Sequence, residues 1–445
     1  MSVYLGILIS FLGLVALQYS ERYLAGERRQ GYFYKWMAVS IGSILSFVSS
    51  DNLIVFAISW SLSSWGLHSL LTFYPEKAAG TLSAWKKFYI SRLGDLFLGI
   101  ATILCYMEFK TLQLDRIFSI IQSGNFTREY TELIGLFLAL GALTKSAQLP
   151  FHTWLPDTME SPTPVSALMH AGIINAGGVL LIKLSPLMNL SAMGLNLLVI
   201  FGGITAFVAS IIMLTETSIK KSLAYSTISQ MGLMILQCGL GAYSLAMVHI
   251  IGHSFYKAYS FLSANSILQK EYYKNPLPGI WEKLSFSHIG VSVFLSIGIY
   301  FLVKIILGID ILEKKGLLVL APTFIMSLIF FFKLRLSFLE FSLKNLFYSI
   351  FAMILFTGLY TMLCLFFETV VPVVGIKSAG VSNEIQMFIL ILLSLVFLLQ
   401  LTVKFWSQTG FGRSFYIHTR NGFYMDIVFS KLIKPFVPDV KLEKR

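Results

Sequence analysis

The sequence predicts an all-α, polytopic membrane protein with about 13 transmembrane helices. Of its 445 residues, 56% are apolar and only 13% are charged, which is about half the charged share of a typical soluble domain. The mean hydropathy is +0.75, and the apolar segments run to about 17–25 residues, the length that crosses a bilayer as a helix. These observations exclude a soluble enzyme, a disordered chain and a fibrous protein.

The apolar runs place the predicted spans in chain order, and each is long enough to cross the hydrocarbon core. Residues 3–19 are expected to be the first span, because they lack the basic start and the cleavage site of a secretory leader. Residues 1–405 are expected to form one transmembrane domain and residues 406–445 a basic cytoplasmic tail. The predicted spans are 3–19, 33–49, 52–74, 86–107, 131–149, 162–185, 194–215, 220–240, 243–268, 287–309, 317–334, 346–372 and 385–405.

Basic residues divide unevenly between the two sides of the predicted bundle. With the spans counted alternately, 22 of the 34 lysines and arginines, Lys86 and Lys87 among them, fall on one side and six on the other. Cytoplasmic loops are enriched in these residues, so the first side is assigned to the cytoplasm. The N-terminus is then outside and the C-terminus inside. Contact of the basic loops with anionic lipid explains the net charge of +12, and no nucleic-acid partner is expected.

Several ionisable residues fall within the predicted spans or at their ends, where a charge is costly and therefore indicates function. Lys145 comes near the end of an apolar run, shortly before Pro150, and a proline removes a backbone donor and breaks the helix. Helix breaks at membrane depth line cavities and bind ions in transporters. Lys145 is therefore a candidate for ion translocation, with a structural cation as the alternative. The full set is Asp51, Arg92, Asp95, Lys145, His170, His249, His253, Lys257 and Lys304.

His249, His253 and Lys257 are spaced i, i+4 and i+8, so on a helix they form one column. Histidine titrates near neutral pH, and such a column can pass protons through intervening waters. Two alternatives stay open for the histidines, namely a zinc site and buried side chains with satisfied hydrogen bonds.

The other candidates are less specific. Arg92 and Asp95 are spaced i, i+3 and can pair on one helix face, in a structural or a functional role. Asp95 is also expected to be able to face Lys145. His170 follows Pro162 and Pro164, which suit the start of a helix. Lys304 lies in an apolar run and suits an exit site.

Cofactor motifs are absent from the sequence. It contains no Walker A motif and no haem or iron–sulfur motif, so no cofactor is expected in this chain. The three cysteines are far apart and have no metal-ligand spacing.

Long motifs around these residues resemble the proton-conducting antiporter-like subunits of respiratory complex I and of the Mrp cation/proton antiporters. The resemblance is strong over residues 20–270. It is carried by KSAQLPFHTWLPD at 145–157, SPTPVSALMH at 161–170, TSIKKSLAYSTISQMG at 217–232 and HIIGHSFYK at 249–257.

The resemblance implies a role for each matching residue. Lys145 would be the central lysine of the first broken helix, and His170 would lie on the next helix. His249, His253 and Lys257 would form the central hydrophilic axis, with Lys304 as the lysine of the second half. The fold would contain two inverted five-helix repeats.

Three departures separate this chain from the large complex I subunit. Pumping members carry a glutamate after the tryptophan of the fifth helix, whereas here Ser61 follows Trp60. Asp95 or Asp51 would then have to tune Lys145. About two N-terminal helices, the lateral C-terminal helix and the usual pattern around Lys304 are also missing.

A subgroup fits better, on the motifs ERYLAGERRQG at 21–31, LLTFYP at 70–75, SRLGD at 91–95 and HAGIINAGG at 170–178. These resemble the DabB family, the membrane subunits of bacterial inorganic-carbon accumulation complexes. The resemblance implies a bacterial inner-membrane location and a cytoplasmic partner, DabA, a soluble zinc protein similar to β-type carbonic anhydrases. Ion flow would drive one-way CO2 hydration in that partner. The alternatives are a subunit of a redox-driven pump or Mrp-type antiporter, and a passive membrane scaffold.

Overall fold

Long helices account for nearly all of the ordered structure in the computed structural model, which describes residues 1–271, 298, 343–371, 380–402 and 409–437. Within these residues the only β pairing is an isolated bridge between Asn52 and Gln113. The expected all-α architecture is confirmed. The first six helices are α1 (Ser2–Tyr23), α2 (Gln30–Ser49), α3 (Leu53–Leu71), α4 (Ala78–Phe109), α5 (Leu114–Ser123) and α6 (Thr131–Lys145).

The middle of the chain contains a second group of helices, broken by short 3-10 turns at Pro156–Glu160 and Ile173–Asn175. These helices are α7 (Thr163–Ala171), α8 (Ala176–Lys183), α9 (Ser185–Met188), α10 (Ala192–Thr215), α11 (Ile219–Gly239) and α12 (Tyr243–Glu271). The C-terminal part adds α13 (Leu343–Val370), α14 (Asn383–Thr402), α15 (Gly410–Arg420) and α16 (Met425–Ile433).

Nine of the predicted spans coincide with single helices to within a few residues. The helix that matches the span at 86–107 begins eight residues earlier, at Ala78, and the span at 162–185 is divided between two helices. The spans at 287–309 and 317–334 lie outside the described residues, so the count of 13 stays a prediction. Among the described residues, five helical segments are long and apolar enough to cross a membrane by length and composition: Ser2–Tyr23, Leu53–Leu71, Ala78–Phe109, Thr163–Lys183 and Ala192–Thr215.

The predicted span at 162–185 is not one continuous helix. It breaks between α7 and α8 at Gly172, where a 3-10 turn intervenes. Glycine and asparagine are weak helix formers, and Gly172, Asn175, Gly177 and Gly178 crowd this point. The buried Asn175 side chain instead donates to Ser254 Oγ on α12, at 2.9 Å.

The helices share an apolar core, while their outward faces are also apolar. Buried hydrophobic side chains from α1 to α12 form one cluster, joined by Phe367 of α13. A smaller cluster joins α10 and α11 to Ile389 and Leu393 of α14. On the outside, Ile7 of α1 and Ile103 of α4 are about two-thirds exposed. A surface of this kind is stable against lipid rather than water, so the chain is a multi-pass membrane protein.

Helix packing brings the broken region to the middle of the first half. Helix α6 packs on α4, α8 and α10, and α3 lies between α2 and α4. Helix α12 packs on α7 and contacts α8 and α11. The end of α6 therefore lies one helix away from α12, with α8 between them.

The C-terminal segment, residues 409–437, contacts α4 through α16 and the residues that follow it. Asp426 of α16 forms an ion pair with Lys86 of α4, and the Tyr89 hydroxyl donates to the carbonyl of Phe436 at 2.7 Å. Lys86 also lies 3.7 Å from Asp157 in the 3-10 turn. Burial raises the pKa of the Asp157 carboxyl above its usual value, Asp426 adds to the shift, and Lys86 and Lys221 oppose it.

Candidate functional site

Helix α6 ends at Lys145, where the sequence predicted a helix break. The chain continues through Ala147, which has a positive φ of 48°, and through a cis peptide bond before Pro150. Helix α7 then begins at Thr163, with Pro162 immediately before it and Pro164 in its first turn. Lys145 is only 6% exposed, so its ammonium group must find its partners within the protein.

Three neutral oxygen atoms from one turn of α3 surround the Lys145 ammonium. Nζ donates to the carbonyl of Trp60 at 2.9 Å, to Ser63 Oγ at 2.8 Å and to Ser64 Oγ at 2.7 Å. These are as many bonds as an ammonium can donate. Nζ also lies 4.5 Å from the centroid of the Trp60 ring, within the range of a cation–π contact.

The position of the missing glutamate is part of a separate polar cluster. Ser61 Oγ donates to Asp95 Oδ2 at 3.0 Å and accepts from Arg92 at 3.2 Å. Arg92 and Asp95 form the i, i+3 ion pair that the sequence predicted, at 2.9 Å. Among the described residues, Arg92 is the ion-pair partner of Asp95, and Lys145 is not. The Asp95 carboxylate therefore contacts Arg92 and Ser61 rather than the Lys145 ammonium.

Asp51, the alternative to Asp95 for tuning Lys145, is not buried, contrary to its expected place among the residues of the membrane interior. Asp51 is exposed and lies just before the first residue of α3. Its carbonyl accepts from Leu114 N at 2.8 Å. The acceptors of Lys145 begin nine residues farther along the chain, about 13 Å away at the rise of an α-helix. The apolar run after Asp51 suggested burial, but the residue itself belongs to the turn that starts the helix.

His170 and Lys257 meet through α11. His170 Nδ1 lies 3.0 Å from the Thr227 hydroxyl, and that hydroxyl also lies 3.0 Å from the carbonyl of Leu223. The ammonium of Lys257 donates to the same carbonyl at 2.9 Å. The His170 ring stacks on Phe261, with centroids 4.3 Å apart. Thr227 and Leu223 therefore join the candidate residues of α7 and α12 in one hydrogen-bonded group.

His249 and His253 of α12 are the first two members of the predicted column. Their ring centroids are 6.3 Å apart, and His249 Nδ1 lies 3.2 Å from Gln237 Oε1. Among the described residues, neither ring nitrogen of the buried His253 has a hydrogen-bond partner. Within the same residues, no group of three or more metal-ligating side chains comes together. A polar ring without a partner is costly to bury.

A polar bridge joins the surroundings of Lys145 to those of His253. Ser146 Oγ donates to the carbonyl of Ile174 at 2.8 Å, and the next residue, Asn175, donates to Ser254 Oγ. Ser146 and Ser254 follow the candidate lysine and histidine directly in sequence. The break between α7 and α8 thus connects the two parts of the site.

Sequence reasoning found the charged candidates but missed their neutral partners. Ser63, Ser64, Thr227 and Gln237 are buried and contact the predicted residues. The serines had a signal, because five of them occur within residues 59–69 of a largely apolar span. Lys304 lies outside the described residues, and its role stays a prediction.

The comparison with protein families identifies the chain. The family described as NADH:quinone oxidoreductase/Mrp antiporter, transmembrane, matches residues 50–278, just over half of the sequence. The chain belongs to this family. The resemblance to antiporter-like subunits that the motifs predicted is confirmed, and the matched region contains every described candidate residue.

Curated relatives support the likeness to DabB. The probable inorganic carbon transporter subunit DabB of Hydrogenovibrio crunogenus is 42% identical over 260 residues, 58% of this chain and 50% of that protein. DabB1 of Halothiobacillus neapolitanus is 39% identical over 274 residues, 61% of this chain and 49% of that protein. NADH-ubiquinone oxidoreductase chain 5 of Chondrus crispus is 34% identical over 298 residues, 65% of this chain and 45% of that protein. The chain spans about half the length of the curated relatives it matches.

Solved structures share the fold. A chain of the Mrp complex from Dietzia sp. superposes with a TM-score of 0.66 at 21% identity, over 98% of this chain and 51% of that chain. A chain of an archaeal membrane-bound sulfane sulfur reductase superposes with a TM-score of 0.54 at 18% identity, over 88% of this chain and 63% of that chain. The antiporter-like membrane fold is therefore that of this family.

Proposed function

We propose that the chain is the ion-conducting membrane subunit of an energy-coupled inorganic-carbon transporter, with the proton as the conducted ion. The observation that carries the proposal is the buried Lys145 at a helix break, whose acceptors among the described residues are three neutral oxygens. The likeness to DabB proteins supports the substrate class. The site residues act in this chain, and the carbon chemistry belongs to a partner.

The neutral surroundings suit a lysine that releases its proton. A structural ammonium inside a protein is normally balanced by a carboxylate, and loss of its proton would leave that anion unpaired. Here the loss of a proton from Lys145 leaves a neutral amine among a carbonyl and two hydroxyls. The two hydroxyls can donate to the amine as well as accept from the ammonium. The site can therefore hold Lys145 as an ammonium or as a neutral amine, and in neither case is a carboxylate left unpaired.

The proposed path continues from Lys145 to His170, then to the column of His249, His253 and Lys257, and on to Lys304. The Ser146–Ile174 and Asn175–Ser254 contacts mark the route between the two parts. Water beside His253 would complete it. Asp95 and Arg92 contribute to the electric field around Lys145, where the path begins.

The driving force is sufficient for carbon accumulation. A charge that moves through about 150 mV releases about 3.5 kcal/mol. At 1.4 kcal/mol for each factor of ten, one ion supports roughly a 300-fold bicarbonate excess over equilibrium. The proton would enter from outside and move toward the cytoplasm, where a DabA-like partner would hydrate CO2 at zinc.

Two substitutions at Lys145 test the proposal. Lys145→Ala removes the proton carrier, and Lys145→Arg keeps a positive charge that cannot be released. We expect both to abolish bicarbonate uptake in cells that depend on this complex, while the complex still assembles. Uptake is measured with labelled bicarbonate, and assembly by the amount of complex purified in mild detergent.

The arginine variant separates the proposal from its rival. A purely structural cation would tolerate arginine, so near-normal uptake in Lys145→Arg would contradict proton release at this residue. Normal uptake in both variants would favour the passive scaffold.

A further inference from the structure

Lys87 of α4 is a buried lysine that the path above does not use. Its side chain is 3% exposed, and its ammonium donates to the carbonyl of Ser64 at 2.7 Å. The charge count assigned it, with Lys86, to the cytoplasmic side, at the start of the predicted span at 86–107, whereas α4 begins at Ala78. The two neighbours differ in the structure, because Lys86 is paired with the carboxylates of Asp157 and Asp426, whereas Lys87 is bound to a neutral carbonyl.

Lys87 and Lys145 bind the same residue from two helices. Lys87 of α4 takes the carbonyl of Ser64, and Lys145 of α6 takes its hydroxyl. Two ammonium groups on one serine repel each other strongly in a medium that screens charge poorly. The pair is therefore most stable when it holds one proton fewer than two ammonium groups carry.

The two lysines are unequal as proton sites. Each ammonium has three donors. Lys145 has three acceptors, whereas Lys87 has one among the described residues, the Ser64 carbonyl. The other charged or titratable groups near Lys87 are His68 of α3, and Arg92 and Asp95 of its own helix. A single positive charge shared by the pair is therefore held better by Lys145.

We propose that Lys87 is a second proton-carrying residue, which passes its proton to Lys145 across Ser64. The inference rests on the proposed function and adds a step before Lys145. A proton that arrives on Lys87 repels the proton of Lys145, which leaves toward the second part of the site. This is the knock-on principle of multi-ion channels, applied to two amines.

The transfer itself balances in atoms and charge. Lys145 is then a neutral amine, and the flexible side chain of Lys87 moves from the carbonyl of Ser64 to its hydroxyl. One N–H bond of the Lys87 ammonium breaks as the hydroxyl oxygen takes the proton. The hydroxyl's own proton forms a new N–H bond on Lys145. The pair carries one positive charge before and after the step.

Two substitutions at Lys87 test the step in the assembled complex, with labelled bicarbonate uptake as the readout. Lys87→Arg keeps the charge and the donor but cannot release a proton, and Lys87→Gln keeps a donor without a charge. We expect both to lower uptake at least about tenfold, since proton-carrying side chains usually contribute more than this. Lys86→Arg is the matched control, because arginine keeps its ion pairs, and uptake should stay near normal.

The results distinguish a proton-carrying role of Lys87 from a purely structural one. Uptake above half of normal in Lys87→Arg or Lys87→Gln, at normal assembly, would overturn the inference. Lys145→Ala in the same assay shows whether the path itself is correct. If Lys145→Ala fails and the Lys87 variants do not, the proposed function stands and only the Lys87 step is rejected.

A second pair of variants tests the step even if arginine or glutamine at position 87 disturbs the packing of α4. Ser63→Ala and Ser64→Ala each remove one hydroxyl that binds Lys145, but only Ser64 also contacts Lys87. We expect Ser64→Ala to lower uptake far more than Ser63→Ala. Equal effects would overturn the transfer across Ser64.

Discussion

At the scale of single residues, this chain replaces a charged partner with neutral ones. The glutamate expected beside Trp60 is Ser61, and the oxygens around Lys145 belong to a backbone carbonyl and two serines. The carboxylate that remains nearby, Asp95, is neutralised by Arg92. If Lys145 conducts ions as proposed, the site would do so with an excess of positive charge. Repulsion between cations, rather than the opening of an ion pair, would then control the protonation of Lys145.

A buried hydroxyl at the second part of the site gives a test at the same scale. Thr227→Val removes the partner of His170 with little change in shape. We expect it to destabilise the complex by about 1–3 kcal/mol, because a buried ring nitrogen loses its hydrogen bond. The measurement is the apparent melting temperature of the purified complex.

Thr215→Val is the control for this prediction. Thr215 is also buried, but among the described residues its hydroxyl bonds to the carbonyl of Ile212, in its own helix. A melting temperature equally lowered in both variants would show that the contact with His170 adds no stability.

At the scale of helices, the sequence predicted where each helix lies better than it predicted whether that helix is unbroken. Apolar run length located α1, α10 and α12 to within a few residues, because a membrane span must be long and apolar. It missed the break at Gly172, since the whole segment is apolar and the break depends on a distant partner, Ser254. Side-chain partners were harder still. That Ser64 lies between two lysines follows from the packing of three helices, which no local pattern encodes.

Close helix packing makes a second test possible. Helices α10 and α11 touch at glycines, where a methyl group on Gly202 would lie 2.7 Å from Leu236 N and 2.8 Å from the carbonyl of Gly232. Both atoms belong to the backbone and cannot move aside. We therefore expect Gly202→Ala to cost about 1–3 kcal/mol through overpacking, measured as a lower yield and melting temperature.

The matched control is Gly252→Ala on α12, where a methyl group would meet nothing within 4 Å. Alanine favours helix there, so stability should stay the same or rise slightly. A Gly202→Ala protein as stable as Gly252→Ala would contradict tight packing of α10 on α11.

At the scale of the whole molecule, the open question is the complex in which the chain works. The family contains inorganic-carbon, respiratory and antiporter subunits, and the shared fold does not separate them. We expect the tagged chain, purified from its native host in mild detergent, to bring one large soluble subunit with about one zinc ion per copy. Mass spectrometry and a metal assay measure this.

Other companions would change the assignment. Flavin and iron–sulfur subunits would place the chain in a redox-driven pump, and further Mrp subunits would place it in an antiporter. Either result would remove the proposed carbon chemistry but leave the proton path to be tested on its own.

The origin of the three oxygens around Lys145 has a mechanical consequence. Trp60, Ser63 and Ser64 share one turn of α3, and the start of that helix is fastened by backbone bonds between Asp51 and Leu114 and between Leu53 and Leu112. Because these three acceptors share a single helical turn, a displacement of that turn would lengthen all three hydrogen bonds to Lys145 together. The lysine would then lose these acceptors as a group rather than one at a time.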